Sequence, residues 1–206
     1  MPLDPAKINR ALRHLRSADH VIGEVIRKTG PFRLRLHRDR FQALVYSILS
    51  QQISGKAAAS IRGRLIEHLK PGSITPQSLN SLTPEVLRSL GISGQKSTYL
   101  LDLSGRVASG DLRLDAIGRY SDERVIGELI EVKGIGVWTA QMFLIFSLGR
   151  LDVFPHDDLG VRTAIRNLYG LDDLPDKQMS HRIAAPWRPY ASVATWYCWR
   201  SLEGPK

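Results

Sequence analysis

Apolar residues recur along this chain at intervals of three and four rather than two. Phe41, Leu44, Val45, Ile48 and Leu49 form one stripe, and Ile61, Leu65, Ile66 and Leu69 form the next. That spacing places side chains on one face of an α-helix. The stretch SLGISGQKSTYLLDLSGRVASG predicts a helix that stops at Gly91 and then a long helix over 94–109. Further helices are predicted over 121–132, 136–148, 158–168 and 188–202. Capping side chains precede several of the starts. Asp39 and Ser54 stand at two of them, and Thr75 and Thr83 each place a hydroxyl just before a proline suited to a first turn. No stretch alternates convincingly with period two, so the pattern predicts an all-α chain. The short connections favour compact helical lobes.

Composition narrows the class. With 206 residues, 43% of them hydrophobic and 24% charged, the chain can bury a core as one domain or two small lobes. Lys and Arg number 29 against 20 acids, a net charge of +9. Such an excess points to a polyanionic partner, usually nucleic acid, with a merely solvated basic surface as the plain alternative. The Arg-dense stretch NRALRHLRSADHVIGEVIRKTGPFRLRLHRDR is open to the same two readings. Cys198 is the single cysteine, which excludes an internal disulfide and any four-cysteine zinc or iron–sulfur site, and fits a reducing compartment. The first residues lack an apolar signal region, and runs such as MFLIFSL are too short to span a bilayer. A soluble intracellular protein is expected, at the nucleoid or cytoplasm of a bacterium or in a nucleus, with no membrane partner.

Candidate chemistry begins at EVKGIGVWTAQMF, residues 131–143. A helix, a short turn holding Gly134 and Gly136, and a second helix make a helix–hairpin–helix. The glycines permit backbone angles closed to other residues and leave the turn bare, and amides at a helix start suit a phosphate oxygen. Lys133 and the Thr139 hydroxyl are candidates for further phosphate contacts. By itself the motif is weak, because glycines also serve packing in helix–turn–helix connections. Asp158 follows Gly136 by 22 residues, after the loop GRLDVFPHDD and before another predicted helix. Alone it reads as a cap.

Taken together, the hairpin, the tryptophan after it, the spacing and DVFPHDDLGVR resemble the helix–hairpin–helix (HhH-GPD) DNA glycosylase superfamily, nearest its alkyladenine, or 3-methyladenine, type. ILSQQIS at 48–54, LGISGQKSTYLLDLS at 90–104 and WRPYASVATWYCW at 187–199 are similar to the signatures of that family, in the same order. The resemblance implies a two-lobed helical fold without an additional N-terminal β domain. One lobe would span about 38–150, the other would join 1–37 to 151–206, and the active site would lie in the cleft between them. It implies a monofunctional enzyme of base excision repair that hydrolyses the N-glycosidic bond of alkylated purines in double-stranded DNA; nothing in the sequence suggests more than a monomer.

By the same resemblance Asp158 is the catalytic carboxylate, stabilising the cationic sugar at C1′ and positioning or activating water. Asp157 is then a cap or loop anchor, and His156 a packing or exposed residue. Strand-cutting relatives carry a lysine nucleophile where this chain has Trp138, and an indole cannot form a Schiff base. Trp138, Trp196 and Met142 would line the base pocket, although Trp196 also reads as a core residue on an apolar final helix. Some relatives carry tyrosine where Met142 stands. Gln52 would be the wedge that fills the gap left by the flipped nucleotide, or else a buried amide at a helix end. Trp187 and Trp199 are read as core. No cofactor is implied for catalysis and no iron–sulfur cluster. A monovalent cation, Na⁺ or K⁺, would sit on the carbonyls of Ile130, Val132 and Ile135. Two rivals stay open: a non-catalytic DNA-binding module, and a glycosylase for another base such as hypoxanthine or uracil.

Overall fold

The computed structural model describes residues 3–203. These residues form helices and connecting turns, with no strand among them. In chain order the helices are α1 Pro5–Ala18, α2 His20–Thr29, α3 Arg40–Ser50, α4 Gly55–His68, α5 Pro76–Asn80, α6 Pro84–Ser89, α7 Gly94–Ser109, α8 Asp122–Ile130, α9 Val137–Phe146, α10 Leu159–Tyr169, α11 Lys177–Ala184 and α12 Ala191–Ser201. From α1 to α8, and again at α10 and α11, each begins at an Asp, Ser or Thr whose side chain accepts a backbone N–H of the first turn. Asp39, Ser54, Thr75 and Thr83 cap as the sequence predicts. No helix among the described residues is long and apolar enough to cross a membrane.

The helix ends differ from the predicted ones where a local constraint intervenes. The 158–168 helix starts one residue later, because Asp158 is extended (φ −67°, ψ 120°) and caps the helix. The 188–202 helix starts at Ala191. Pro189 disfavours helical angles at the residue before it, and a short 3-10 turn over Ala185–Trp187 leads in instead. The 121–132 helix ends at Ile130, where the hairpin turn begins.

Two compact units are present, one of residues up to Leu36 together with those from Leu144, the other His37–Phe143. The sequence reading put the second junction at 150, whereas this division falls inside α9. That helix is apolar on nearly every side, so its periodicity offers no edge at which to cut.

In the first unit α12 is the central rod: every residue from Ala191 to Cys198 is buried, and α12 packs against α1, α2 and α10. Leu15, Ile22, Ile26, Val161, Ile165 and Trp187 close around it. Asp19 ties this core together, as it caps α2 and accepts hydrogen bonds from the Trp187 indole (2.7 Å) and the Tyr169 hydroxyl. Trp187 is fully buried, the core residue the sequence predicts. In the second unit α7 is the hub, packing against α3, α5 and α6. Lys96 on α7 donates to the Leu49 carbonyl at the end of α3 (2.8 Å), and burial lowers its pKa from the usual lysine range.

Candidate active site

In the second unit, α8 and α9 flank the predicted hairpin. Gly134 has φ +79°, a left-handed angle that suits glycine, and any side chain there would run into the Tyr99 ring. Both glycine properties inferred from sequence are therefore used at this one position. Two amides of the turn ahead of α9 are paired within the protein. Lys133 N–H donates to Asp102 Oδ2 (2.9 Å), and Ile135 N–H closes the turn on the Val132 carbonyl (3.0 Å). Asp102 also accepts from Arg106 Nε at 3.2 Å, so the turn is clipped to α7 by an ion-paired carboxylate. Gly134, Gly136 and the Lys133 side chain are exposed, whereas Thr139 is only 5% exposed. A threonine one turn into an apolar helix is largely covered by its neighbours, so its hydroxyl is a poor candidate for phosphate contact.

Gln52 lies just beyond α3 and is exposed. It is the single non-glycine residue with positive φ (56°) among the described residues. A non-glycine side chain in that region is strained, and such strain concentrates at functional sites. The buried-amide alternative for Gln52 is thus corrected. Its neighbour Gln51 carries the amide bond instead, donating from Nε2 to the Gly134 carbonyl at 2.8 Å and joining this loop to the hairpin. Trp138 on α9 is 45% exposed, and Met142, one turn on, is half-buried.

The first unit holds Asp158. Its Oδ1 accepts the Val161 N–H at 2.8 Å, the cap of α10, and also the Trp199 indole N–H at 2.9 Å. Both of these donors are neutral dipoles that help orient the carboxylate. Trp199 is stacked on Phe146, with centroids 5.5 Å apart and planes 20° from parallel. Gly160 leaves room for this contact: a methyl there would stand 3.1 Å from Oδ1 and 3.2 Å from Trp199 Cδ1. Reading Trp199 as a plain core residue is therefore corrected.

Asp157 is largely exposed and lies 3.2 Å from His156 Nε2. The His156 ring also meets that of His181 at 4.9 Å. Burial holds the His156 pKa below the usual imidazole range; Asp157 opposes this, and Lys177 and His181 reinforce it. Trp196, 8% exposed, is edge-on to Phe32 and Tyr197, each at 4.9 Å, with the Arg200 guanidinium 5.5 Å from its ring. That is a core position with a small open margin.

The predicted residues are thus divided: Gln52, Lys133, Gly134, Gly136, Trp138, Thr139 and Met142 in one unit, Asp158 and Trp196 in the other. Sequence reasoning missed Gln51, Tyr99, Asp102, Phe146, Gly160 and Trp199, whose roles arise from partners distant in the chain. Among the described residues no group of three or more His, Cys, Asp or Glu side chains could hold a metal ion.

Known proteins extend these observations. The 3-methyladenine DNA glycosylase of Schizosaccharomyces pombe, solved in complex with abasic DNA, superposes with a TM-score of 0.85 at 31% identity, covering 94% of this chain and 97% of that one. A DNA-3-methyladenine glycosidase structure from Bacillus halodurans also gives 0.85, at 35% identity over 93% of this chain and 88% of that one. In sequence, DNA-3-methyladenine glycosylase 1 of S. pombe is 31% identical over 201 residues, 95% of this chain and 88% of that protein. A Bacillus subtilis protein is 39% identical over 128 residues, but the chain spans only 45% of its length. Residues 45–189 match the family model described as HhH-GPD superfamily base excision DNA repair protein. With a hairpin of this geometry, a helix-capping Asp158 after it and relatives matched along nearly the whole chain, the protein belongs to the HhH-GPD superfamily of base excision DNA repair proteins.

Proposed function

We propose that this protein is a monofunctional DNA glycosylase that releases alkylated purines, of the 3-methyladenine and 7-methylguanine type, from double-stranded DNA. An alkylated purine carries positive charge and leaves as a neutral base, taking the electron pair of the C1′–N bond. The deoxyribose becomes cationic at C1′, water adds there and loses a proton, and an abasic site remains. The Asp158 carboxylate stabilises that cation by electrostatics and orients or deprotonates the water. The observation that carries the reading is the setting of Asp158 at a helix N-terminus, where its Oδ1 accepts the Val161 N–H and the Trp199 indole N–H.

The remaining parts follow in the same reading. The hairpin grips phosphate through exposed backbone at Gly134 and Gly136 and the charge of Lys133, with Thr139 contributing little. The base must leave the stack, and Gln52, already set in a strained conformation, fills the gap. Trp138, with Met142 one turn on along α9, and the open margin of Trp196 are the aromatic faces offered to a cationic base. Trp138 has no amine to attack C1′, so strand cleavage by a lyase step is not expected. The enzyme acts as a monomer and needs no cofactor for the chemical step. Backbone carbonyls at Ile130, Val132 and Ile135 are the group that would hold Na⁺ or K⁺ at the hairpin. The Val132 oxygen accepts one turn hydrogen bond and retains a second lone pair for such an ion.

Incubation with duplexes carrying 3-methyladenine, 7-methylguanine, hypoxanthine or uracil tests the reading. Release of the two methylated purines, abolished in Asp158→Asn with abasic-DNA binding retained, is the expected result. Binding without release from any duplex would replace it with a non-catalytic binding module, and release of uracil or hypoxanthine alone would reassign the substrate.

A further inference from the structure

We infer that Gln51 is a positioning residue for nucleotide eversion, tying the loop that carries Gln52 to the hairpin so that both act on the strand together. This rests on the glycosylase reading above, with Gln52 as the wedge. Gln51 ends α3 and immediately precedes Gln52, whose φ of 56° is the strained one. Strain of that kind persists only where the surroundings over-determine it. Here they hold the loop from two sides. Lys96 on α7 donates to the Leu49 carbonyl at 2.8 Å, and Gln51 Nε2 donates to the Gly134 carbonyl at 2.8 Å. A carbonyl can only accept, so the Gln51 amide is turned with its N–H toward the hairpin.

Neither flanking helix needs this bond. The Gln51 backbone N–H closes the end of α3 on the Ile48 carbonyl (3.3 Å), and α4 has its own cap in Ser54. The hairpin is fixed as well: the Tyr99 ring stands against Gly134, and Asp102 accepts the Lys133 N–H. Lys96, Tyr99 and Asp102 recur at three-residue spacing along α7, so one helix braces both the wedge loop and the hairpin, and Gln51 links the two directly. All of these residues belong to the His37–Phe143 unit. Everting a nucleotide costs unpairing and unstacking. A side chain can offset that cost only while the phosphates beside it are held against recoil, which a wedge fastened to the phosphate grip provides. The competing view is that the amide merely satisfies a turn carbonyl.

The full-length protein with Gln51→Met, which keeps the side-chain length and removes the donor, separates the two. Gln51→Glu sets a carboxylate against the Gly134 carbonyl and is the harsher companion. 7-Methylguanine is placed in two duplexes, opposite cytosine or opposite an abasic analogue; the second has no pair to break, so eversion costs less. Three quantities are measured: single-turnover release at saturating enzyme, Kd for an undamaged duplex, and Tm. For Gln51→Met, release from the paired duplex is expected to be roughly three- to tenfold slower, the scale of one neutral hydrogen bond. Opposite the abasic analogue the defect should shrink to less than about twofold, with Kd within about twofold and Tm nearly unchanged. In a Gln52→Ala background Gln51→Met is expected to add nothing, because it acts through Gln52. Equal slowing on both duplexes overturns the positioning role, as do wild-type rates in both Gln51 variants beside a slowed Gln52→Ala. Parallel losses in release, affinity and Tm also overturn it, in favour of a structural role. No release by the wild-type protein, or a Gln52→Ala as fast as wild type on the paired duplex, would instead remove the reading on which the role depends.

Discussion

Asp158 and Asp102 are each bound by a backbone N–H, but the same side chain stands in different surroundings at the two positions. Asp102 accepts the Lys133 amide and also the Arg106 guanidinium, so its charge is matched on the spot and the group works as a clip for the hairpin. Asp158 accepts an amide and an indole on Oδ1, both neutral. In the function proposed above, Asp158 meets a developing sugar cation, whereas Asp102 holds a turn. What surrounds the aspartate, not the aspartate, separates structure from chemistry.

The contrast is most directly broken by exchanging charge for amide at both positions. Asp158→Asn is expected to lower single-turnover base release by about a hundred- to a thousandfold, the scale for removing one preorganised electrostatic group, with abasic-DNA affinity little changed. Asp102→Asn is expected to do the reverse, weakening DNA affinity several-fold while release at saturating enzyme stays near wild type. Both are read from one set of single-turnover and titration curves, and a chemical-step defect at Asp102 would erase the distinction.

Gly134→Ala tests the hairpin next. Its left-handed angle and the Tyr99 ring both oppose a side chain, so a loss of about 2 kcal/mol or more is expected in denaturant unfolding, with weaker DNA binding. Lys133→Ala is a gentler change. Removing one phosphate contact should lower affinity by a few-fold and reduce the slope of log K against log salt by about one. An unchanged slope would take Lys133 off the DNA.

The smallest effect concerns pH. His156 has its pKa lowered in the folded protein, mainly by burial, so the unfolded chain takes up a proton more readily and folding loses stability as pH falls. Tm is expected to rise slightly from about pH 5 to pH 7, and His156→Gln should flatten that rise. A steeper rise in the variant would contradict it.

Much of this was legible from sequence for a physical reason: the informative features are local. Helical stripes, threonine–proline starts, the Gly134–Gly136 turn and the Asp158 cap all involve residues a few positions apart, where the chain's own geometry brings them together. Asp39, Ser54, Thr75 and Thr83 were found because a cap needs only its own helix. Periodicity was least useful on α9, where apolar residues lie on all sides, and at Arg188, where a proline outweighed the helical pattern.

The tertiary structure alone decided the rest. Trp199 meets Asp158 across 41 positions, Gln51 meets Gly134 across 83, and Lys133 meets Asp102 across 31. Nothing in the neighbourhood of these residues along the chain distinguishes them from ordinary core or surface. The sequence by itself determined an all-helical chain, a backbone-built hairpin and a carboxylate at the head of a helix, because each is specified by short-range sterics and hydrogen bonding. Which ring reaches that carboxylate, and through which glycine's vacancy, depended on the packing of distant helices, and that is settled only when the core closes.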